Sequence, residues 1–279
     1  MKNQVVVNGC EFEVWQEGSG AKTPVILIHG EGHGLDYFEY VVPHLAKDRH
    51  VVAFSRRGHG RSACPEWGWS VYLQARDVAG ILDATGIDGP ADVLGVAFGT
   101  TVASEFALSF PERTRSLAMV AWSEIEGVES YIALFEKQTP GVLAALESGG
   151  REGLKEYVLA GAREWSPVWP ARAEHRQVYS DWLSERPAGA WLGRLEFVSS
   201  VPRYVDRLAA TKIPILGIEG GNDPFPCDPS TLAGNPNFVQ TYIEGADRFI
   251  HWEHPDEFHA LLDEFYDRVE SMADTAALG

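Results

Sequence analysis

The sequence predicts an α/β fold: a mostly parallel central sheet flanked by helices, interrupted by one all-helical insertion. Three observations carry that expectation. Short, continuously apolar runs recur along the chain, stretches with helical spacing separate them, and the alternation stops between about Ile125 and Asp206. Continuous apolar character marks strands covered on both faces, as in a parallel sheet, whereas a half-exposed strand would alternate.

Taken in order, the strand candidates are Pro24–His29, His50–Phe54, Asp92–Gly95, Leu117–Trp122, Ile213–Ile218 and Asn237–Ile243. Helices are expected over Val71–Thr85, Gly99–Phe110 and Pro255–Ala273. The last carries Phe258, Leu261, Leu262, Phe265 and Val269 at helical spacing. Residues 125–206 show helical patterns, no strand-like run, and Trp165, Trp169, Trp182 and Trp191. An aromatic-rich helical insertion in an α/β frame reads as a cap over a pocket. The expected division is a core of residues 1–124 and 207–279 with a cap of residues 125–206. Core packing within the cap is the ordinary role of such tryptophans.

Forty acidic residues against 23 basic ones give a formal net charge of −17, dispersed along the chain. That field repels nucleic acid and anionic lipid, so neither is an expected partner. The N-terminus lacks the pattern of a signal peptide, and no run approaches the ~20 apolar residues of a membrane span. Cys10, Cys64 and Cys227 are odd in number and scattered, which suits free thiols in a reducing cytoplasm. The expected partner is a small-molecule ligand or substrate, with a homodimer left open. No phosphate cradle and no nicotinamide or flavin fingerprint is present, so no cofactor is expected. His251, His254 and His259 lack the spacing of a helical zinc motif, and no metal is expected either.

Four segments in this order resemble the α/β-hydrolase superfamily across nearly the whole chain. They are Leu27-Ile28-His29-Gly30-Glu31-Gly32, Arg57-Gly58-His59-Gly60-Arg61-Ser62, Gly95-Val96-Ala97-Phe98-Gly99 and Gly245-Ala246-Asp247-Arg248-Phe249. The resemblance implies an α/β-hydrolase fold with a helical cap. It also implies an oxyanion hole from the backbone N–H groups of Glu31 and Phe98, and a nucleophile elbow at Gly95–Gly99. An elbow lifts its central residue above the sheet on a strained backbone, so its neighbours two residues away must be small.

Two departures from the family pattern decide the chemistry. The elbow displays Ala97 where the family has a nucleophile, and a methyl group cannot attack a carbonyl. Arg248 stands where the family has its histidine, and a guanidinium has no acceptor for a proton. Asp223 matches the family's acid position and is expected to pair with Arg248, either as a structural ion pair or as the orienter of a cation facing the substrate. Glu31 and His33 follow the first motif strand into the presumed pocket. An enclosed Glu31 carboxyl would have a raised pKa and act as acid or base, and His33 is the base candidate among the histidines. Trp122 and Glu124, after the strand that follows the elbow helix, are candidates for the pocket wall.

The leading expectation is therefore a cofactor-independent enzyme acting on a small apolar or aromatic molecule by non-covalent acid–base chemistry and oxyanion stabilisation. Lyases, isomerases, cyclases and cofactor-free oxygenases fall in that class. The alternatives are a non-catalytic ligand-binding member, a hydrolase using an aligned water, and an engineered serine-to-alanine knockout. The last leaves Arg248 unexplained.

Overall fold

The structure is a computed structural model that describes residues 1–125, 128–160, 169–225 and 227–277. Strands β1 (Lys2–Val7) and β2 (Cys10–Glu17) form an antiparallel hairpin in which Val7 pairs with Cys10. Its turn is Asn8-Gly9, with φ of 49° and 76°. Asn-Gly accommodates two positive φ angles and is the strongest short-range hairpin signal. No apolar run announces this hairpin, because β1 lies at the sheet edge and exposes Lys2, Gln4 and Val6.

Next come β3 (Lys22–Ile28), the short helix α1 (Val41–Leu45), β4 (Arg49–Phe54), α2 (Val71–Ala84), β5 (Ala91–Val96), α3 (Phe98–Ser109) and β6 (Thr114–Val120). The eight-stranded sheet has the order β1-β2-β4-β3-β5-β6-β7-β8, where β7 is Ile215–Gly220 and β8 is Phe238–Ile243. Strand β2 runs antiparallel to both neighbours, and the pairs from β4 to β8 are parallel. This is the α/β-hydrolase fold.

The continuous apolar strands are buried on both faces, for the reason the sequence suggested. Ile26, Ile28, Val93, Leu117 and Ile215 point into one layer with Val78, Ile81 and Phe106 of α2 and α3. Their strand neighbours Val25, Leu27, Leu94, Ala118 and Leu216 enter the other, with Leu45 of α1 and Phe258 and Leu262 of the last helix. Strand β6 ends at Val120, two residues short of the expected Trp122. Ala121 takes a φ of 50° there and leaves the extended region.

Between β6 and β7 the described chain contains no strand. Helix α4 (Val128–Ala160) breaks at Gly150 (φ 57°), and α5 (Ala173–Glu185), α6 (Ala188–Ser199) and α7 (Val205–Ala209) follow. Trp165 lies outside the described residues. This stretch is tied to the frame at separate points. The Trp69 N–H donates to Glu196 Oε1 (3.0 Å), and the Tyr204 hydroxyl donates to Glu105 Oε2 (3.2 Å). Trp252, on the short helix α8 (Ile250–Glu253), stacks with His175 at 4.2 Å and with Trp182 at 5.2 Å, both on α5. Helix α9 (Pro255–Ala277) closes the chain. No helix among the described residues is long and apolar enough to cross a membrane.

Candidate active site

Strands β3 and β5 are neighbours whose outgoing connections lead to opposite sides of the sheet, β3 to β4 and β5 to β6. Such a switch point opens a crevice outside the carboxyl ends of the two strands, where ligands of α/β folds bind. Residues 29–34 leave β3 there, and Ala97 leaves β5.

Ala97 joins β5 to α3 with φ 50° and ψ −126°. Its N–H donates to Val120 O (2.8 Å) and its carbonyl accepts from Thr100 N (2.7 Å), which pins the turn from both sides. The flanking glycines are demanded by space. A Cβ on Gly99 would lie 2.1 Å from Ile28 O, and one on Gly95 would lie 2.6 Å from Gly99 O. The strained elbow is therefore intact, and it presents a methyl group.

A cavity of about 110 Å³ lies over the elbow. Glu31, His33, Ala97, Phe98, Arg248 and Phe249 line it from the frame, and Tyr131, Phe135, Gln138, Tyr179, Arg186, Trp191 and Arg194 from the inserted helices. Among the described residues, neither the Glu31 nor the Phe98 backbone N–H has a hydrogen-bond partner in the fold. The neighbouring Gly32 N–H is spent on His59 Nε2 (3.2 Å).

The Glu31 side chain differs from its expected chemistry. Its Oε1 lies 2.5 Å from Arg186 Nη1, and its Oε2 accepts from Arg56 Nη2 at 3.2 Å, with His59 Nε2 at 3.6 Å. Burial alone would raise its pKa, but Arg186, His59 and Arg56 outweigh that and hold the carboxyl well below the usual range. A raised pKa and a role as acid are thereby overturned. Glu31 is a fixed anion inside an ion-pair cluster.

His33 is 6% exposed and stacks on Tyr37 at 4.0 Å with rings 4° apart, then on Tyr179 at 5.1 Å. Among the described residues, neither ring nitrogen has a hydrogen-bond partner. Burial, reinforced by nearby His251 and His59, pushes its pKa well below the ordinary value, so the imidazole is neutral at pH 7. A Cβ built on Gly30 would lie 3.1 Å from both His33 Nδ1 and the Ala97 methyl, so both groups border Gly30 as well as the cavity.

Asp223 and Arg248 form the expected ion pair, with Arg248 Nη1 at 3.0 Å and 3.2 Å from the two carboxylate oxygens. Arg248 Nη2 donates to Ala121 O and to Ser123 Oγ, each at 3.1 Å. Ser123 Oγ in turn bonds the Tyr131 hydroxyl (2.8 Å), which leads from the ion pair to the cavity wall. Arg248 lines the cavity while Asp223 stands behind it. Trp122 does not line the cavity. Its N–H donates to Glu219 Oε1 (2.8 Å) and its Nε1 to Gln240 Oε1 (3.2 Å), so it packs toward β8. The Glu124 side chain lies outside the described residues.

The sequence reading missed Arg186 and Arg194, which come from the end of α5 and from α6, and also Glu219. Arg186 and Arg194 both lie against the Trp191 ring, at 4.6 Å and 4.7 Å, so the buried tryptophan was the available signal. Glu219 accepts from the Cys227 thiol (3.0 Å), and burial pushes its carboxyl up to about 7. His251, three residues beyond the vacant histidine position, is spent on Tyr37 O (3.1 Å). No group of three His, Cys, Asp or Glu side chains placed to hold a metal is found among the described residues.

A frame of this kind defines an α/β-hydrolase-fold protein, with Ala97 at the turn between β5 and α3. Comparison with known proteins agrees on the class. Residues 23–150 match the family described as alpha/beta hydrolase fold. The chain is 27% identical to a 2-hydroxy-6-oxononadienedioate/2-hydroxy-6-oxononatrienedioate hydrolase of Burkholderia vietnamiensis, over 95% of this chain and 94% of that one. It is 36% identical to a 2-heptyl-3-hydroxy-4-quinolone dioxygenase of Rhodococcus erythropolis, over 30% of this chain and 32% of the relative. The chain spans less than half the length of the curated relatives it matches at 36% identity. A solved hydrolase from Pseudomonas aeruginosa superposes with a TM-score of 0.77 at 20% identity, covering 95% of this chain and 97% of that chain. These matches agree with the α/β-hydrolase fold, and the curated relatives are named enzymes.

Proposed function

We propose that the protein is a cofactor-independent enzyme acting on a small apolar or aromatic molecule by proton transfer and oxyanion stabilisation, without a covalent intermediate. One observation carries this reading. A neutral imidazole with two unpartnered nitrogens, that of His33, borders the same cavity as a methyl group where a nucleophile would stand. His33 takes a proton from the substrate, and the Glu31 and Phe98 N–H groups receive the negative charge that develops on a substrate oxygen. The Glu31 carboxylate holds Arg186 and Arg56, and the Asp223–Arg248 pair braces the floor. The inserted helices act as the cap that excludes water. Lyase, isomerase, cyclase and cofactor-free oxygenase reactions share these requirements. Relatives named as hydrolases and as a dioxygenase indicate that this fold hosts more than one chemistry.

Screening small aromatic compounds for turnover supplies the test. Substituting His33→Ala should lower kcat by about 10²–10⁴-fold. A serine-reactive fluorophosphonate should leave the wild-type protein unlabelled. Full activity in the variant, or labelling that competes with substrate, overturns the proposal.

A second reading is a ligand-binding protein without catalysis. It is favoured by the engagement of Glu31 and Arg248 in ion pairs, which leaves His33 as the sole unpartnered titratable side chain among the predicted catalytic residues. Tight reversible binding of a compound recovered unchanged by mass spectrometry is its signature.

A further inference from the structure

The cavity is lined by one guanidinium that no carboxylate among the described residues meets at ion-pair distance, the nearby Glu31 being engaged by Arg186 and Arg56. Of its three lining guanidiniums, Arg186 faces Glu31 and Arg248 faces Asp223. Arg194 is 2% exposed and meets only neutral partners. Its Nη1 donates to Gln138 Oε1 (3.3 Å), and its Nη2 to Thr139 Oγ1 (3.1 Å) and Phe135 O (3.4 Å), while Nε has no partner. No carboxylate among the described residues reaches ion-pair distance of it. The Phe135 and Trp191 rings, at 4.3 Å and 4.7 Å, shield it from water. Burial lowers its pKa to about 9, so it is still protonated at neutral pH.

A buried cation without a counter-ion is costly, and such groups are rarely kept unless something supplies the opposite charge. The rest of the molecule runs the other way, with a net charge of −17. We infer that the Arg194 wall of the cavity seats an anionic group of the substrate itself, so that the protein takes a small aromatic or unsaturated carboxylate. This rests on the substrate-pocket reading above and adds its chemical class. A guanidinium edge matches the planar carboxylate, and Phe98, Phe135 and Phe225 supply apolar wall for the rest of such a molecule.

Benzoate and benzamide share size and shape and differ in charge, so they form the test pair. NMR titration of the intact protein should show benzoate binding about tenfold or more tightly than benzamide. Arg194→Met should abolish that preference by weakening benzoate binding about tenfold more than benzamide binding, and Arg194→Lys should retain part of it. The ligand-free Arg194→Met protein should melt no lower than wild type, because it no longer buries an uncompensated charge. Equal binding of the two compounds by wild type, or an undiminished benzoate preference in Arg194→Met, overturns the inference. If Arg194→Met does not fold, the wild-type preference and the Arg194→Lys protein decide. Selective benzoate binding without turnover of any carboxylate would uphold this inference and count against the catalytic reading alone.

Discussion

Arg186 closes over Glu31, with Nη1 2.5 Å from Oε1, and this contact joins the inserted helices to the loop that follows β3. Both residues line the cavity, Arg186 at the end of α5 and Glu31 in the loop after β3. The consequence is that the Glu31 carboxylate works as an anchor.

Substituting Glu31→Gln should therefore act mainly on stability. It strands Arg186 and Arg56, which are 4% and 2% exposed, and loss of one partner from such a cluster costs about 3 kcal/mol. Urea denaturation of the single variant and of Glu31→Gln/Arg186→Met checks this. The double variant should recover part of the loss, and equal stability of all three proteins would refute the anchoring role.

The Asp223–Arg248 pair should behave as a structural unit. Asp223→Asn leaves a guanidinium whose other bonds go to Ala121 O and Ser123, and should cost about 3 kcal/mol. Replacing both by Asn and Met should cost less than the sum of the two single changes. Strict additivity in a double-mutant cycle would show that the pair does not couple.

At the elbow, Ala97 holds φ 50° and ψ −126°, a region suited to glycine. Ala97→Gly should relieve strain and stabilise the protein by about 1 kcal/mol. Gly99→Ala should do the reverse by about 1–3 kcal/mol, since its Cβ would collide with Ile28 O at 2.1 Å. Thermal melts of the two variants should move in opposite directions.

Stability should fall in mild acid. Burial lowers His59 to about 4 and His251 to about 3, and places His29 and His33 well below the ordinary value of 6.5. The unfolded chain therefore binds protons below pH 6.5 that the fold refuses until about pH 4 to 3, and stability is lost through that window. Asp92, pushed up to about 6, and Glu219, pushed up to about 7, work in the opposite sense because the fold holds their protons longer. His259, lowered to about 4, and His50 add to the fall while Asp247, also raised, opposes it, so six histidines against three carboxyls leave a net fall between pH 6.5 and 4.5. A flat melting temperature across that range would contradict the neutral, buried state of these histidines.

Much of the frame was legible in the chain because parallel strands buried on both faces are mostly apolar, and β5 and β7 are apolar apart from Asp92 and Glu219. The edge hairpin was not, since β1 and β2 face water in part and leave a turn signal, Asn8-Gly9, in place of an apolar run. Glu31, His33, Ala97, Phe98 and Arg248 were legible as cavity residues because each sits at a fixed offset from a strand end of a recurring fold. Trp122 was misjudged because the turn at Ala121 redirects it toward Gln240.

By itself, the sequence determined the fold class and the tight turn at Gly95–Gly99 with Ala97 at its centre, and it placed Arg248 before Phe249. These are local properties, set by strand patterning, glycine spacing and the identity of two side chains. Only the tertiary structure decided that Glu31 is ionised, that His33 is neutral in the cavity it shares with Ala97, and that Arg194 stands without a counter-ion. Those states depend on burial and on partners more than a hundred residues away, which helices α5 and α6 carry to the mouth of the sheet. Charge in a pocket is a property of the whole fold.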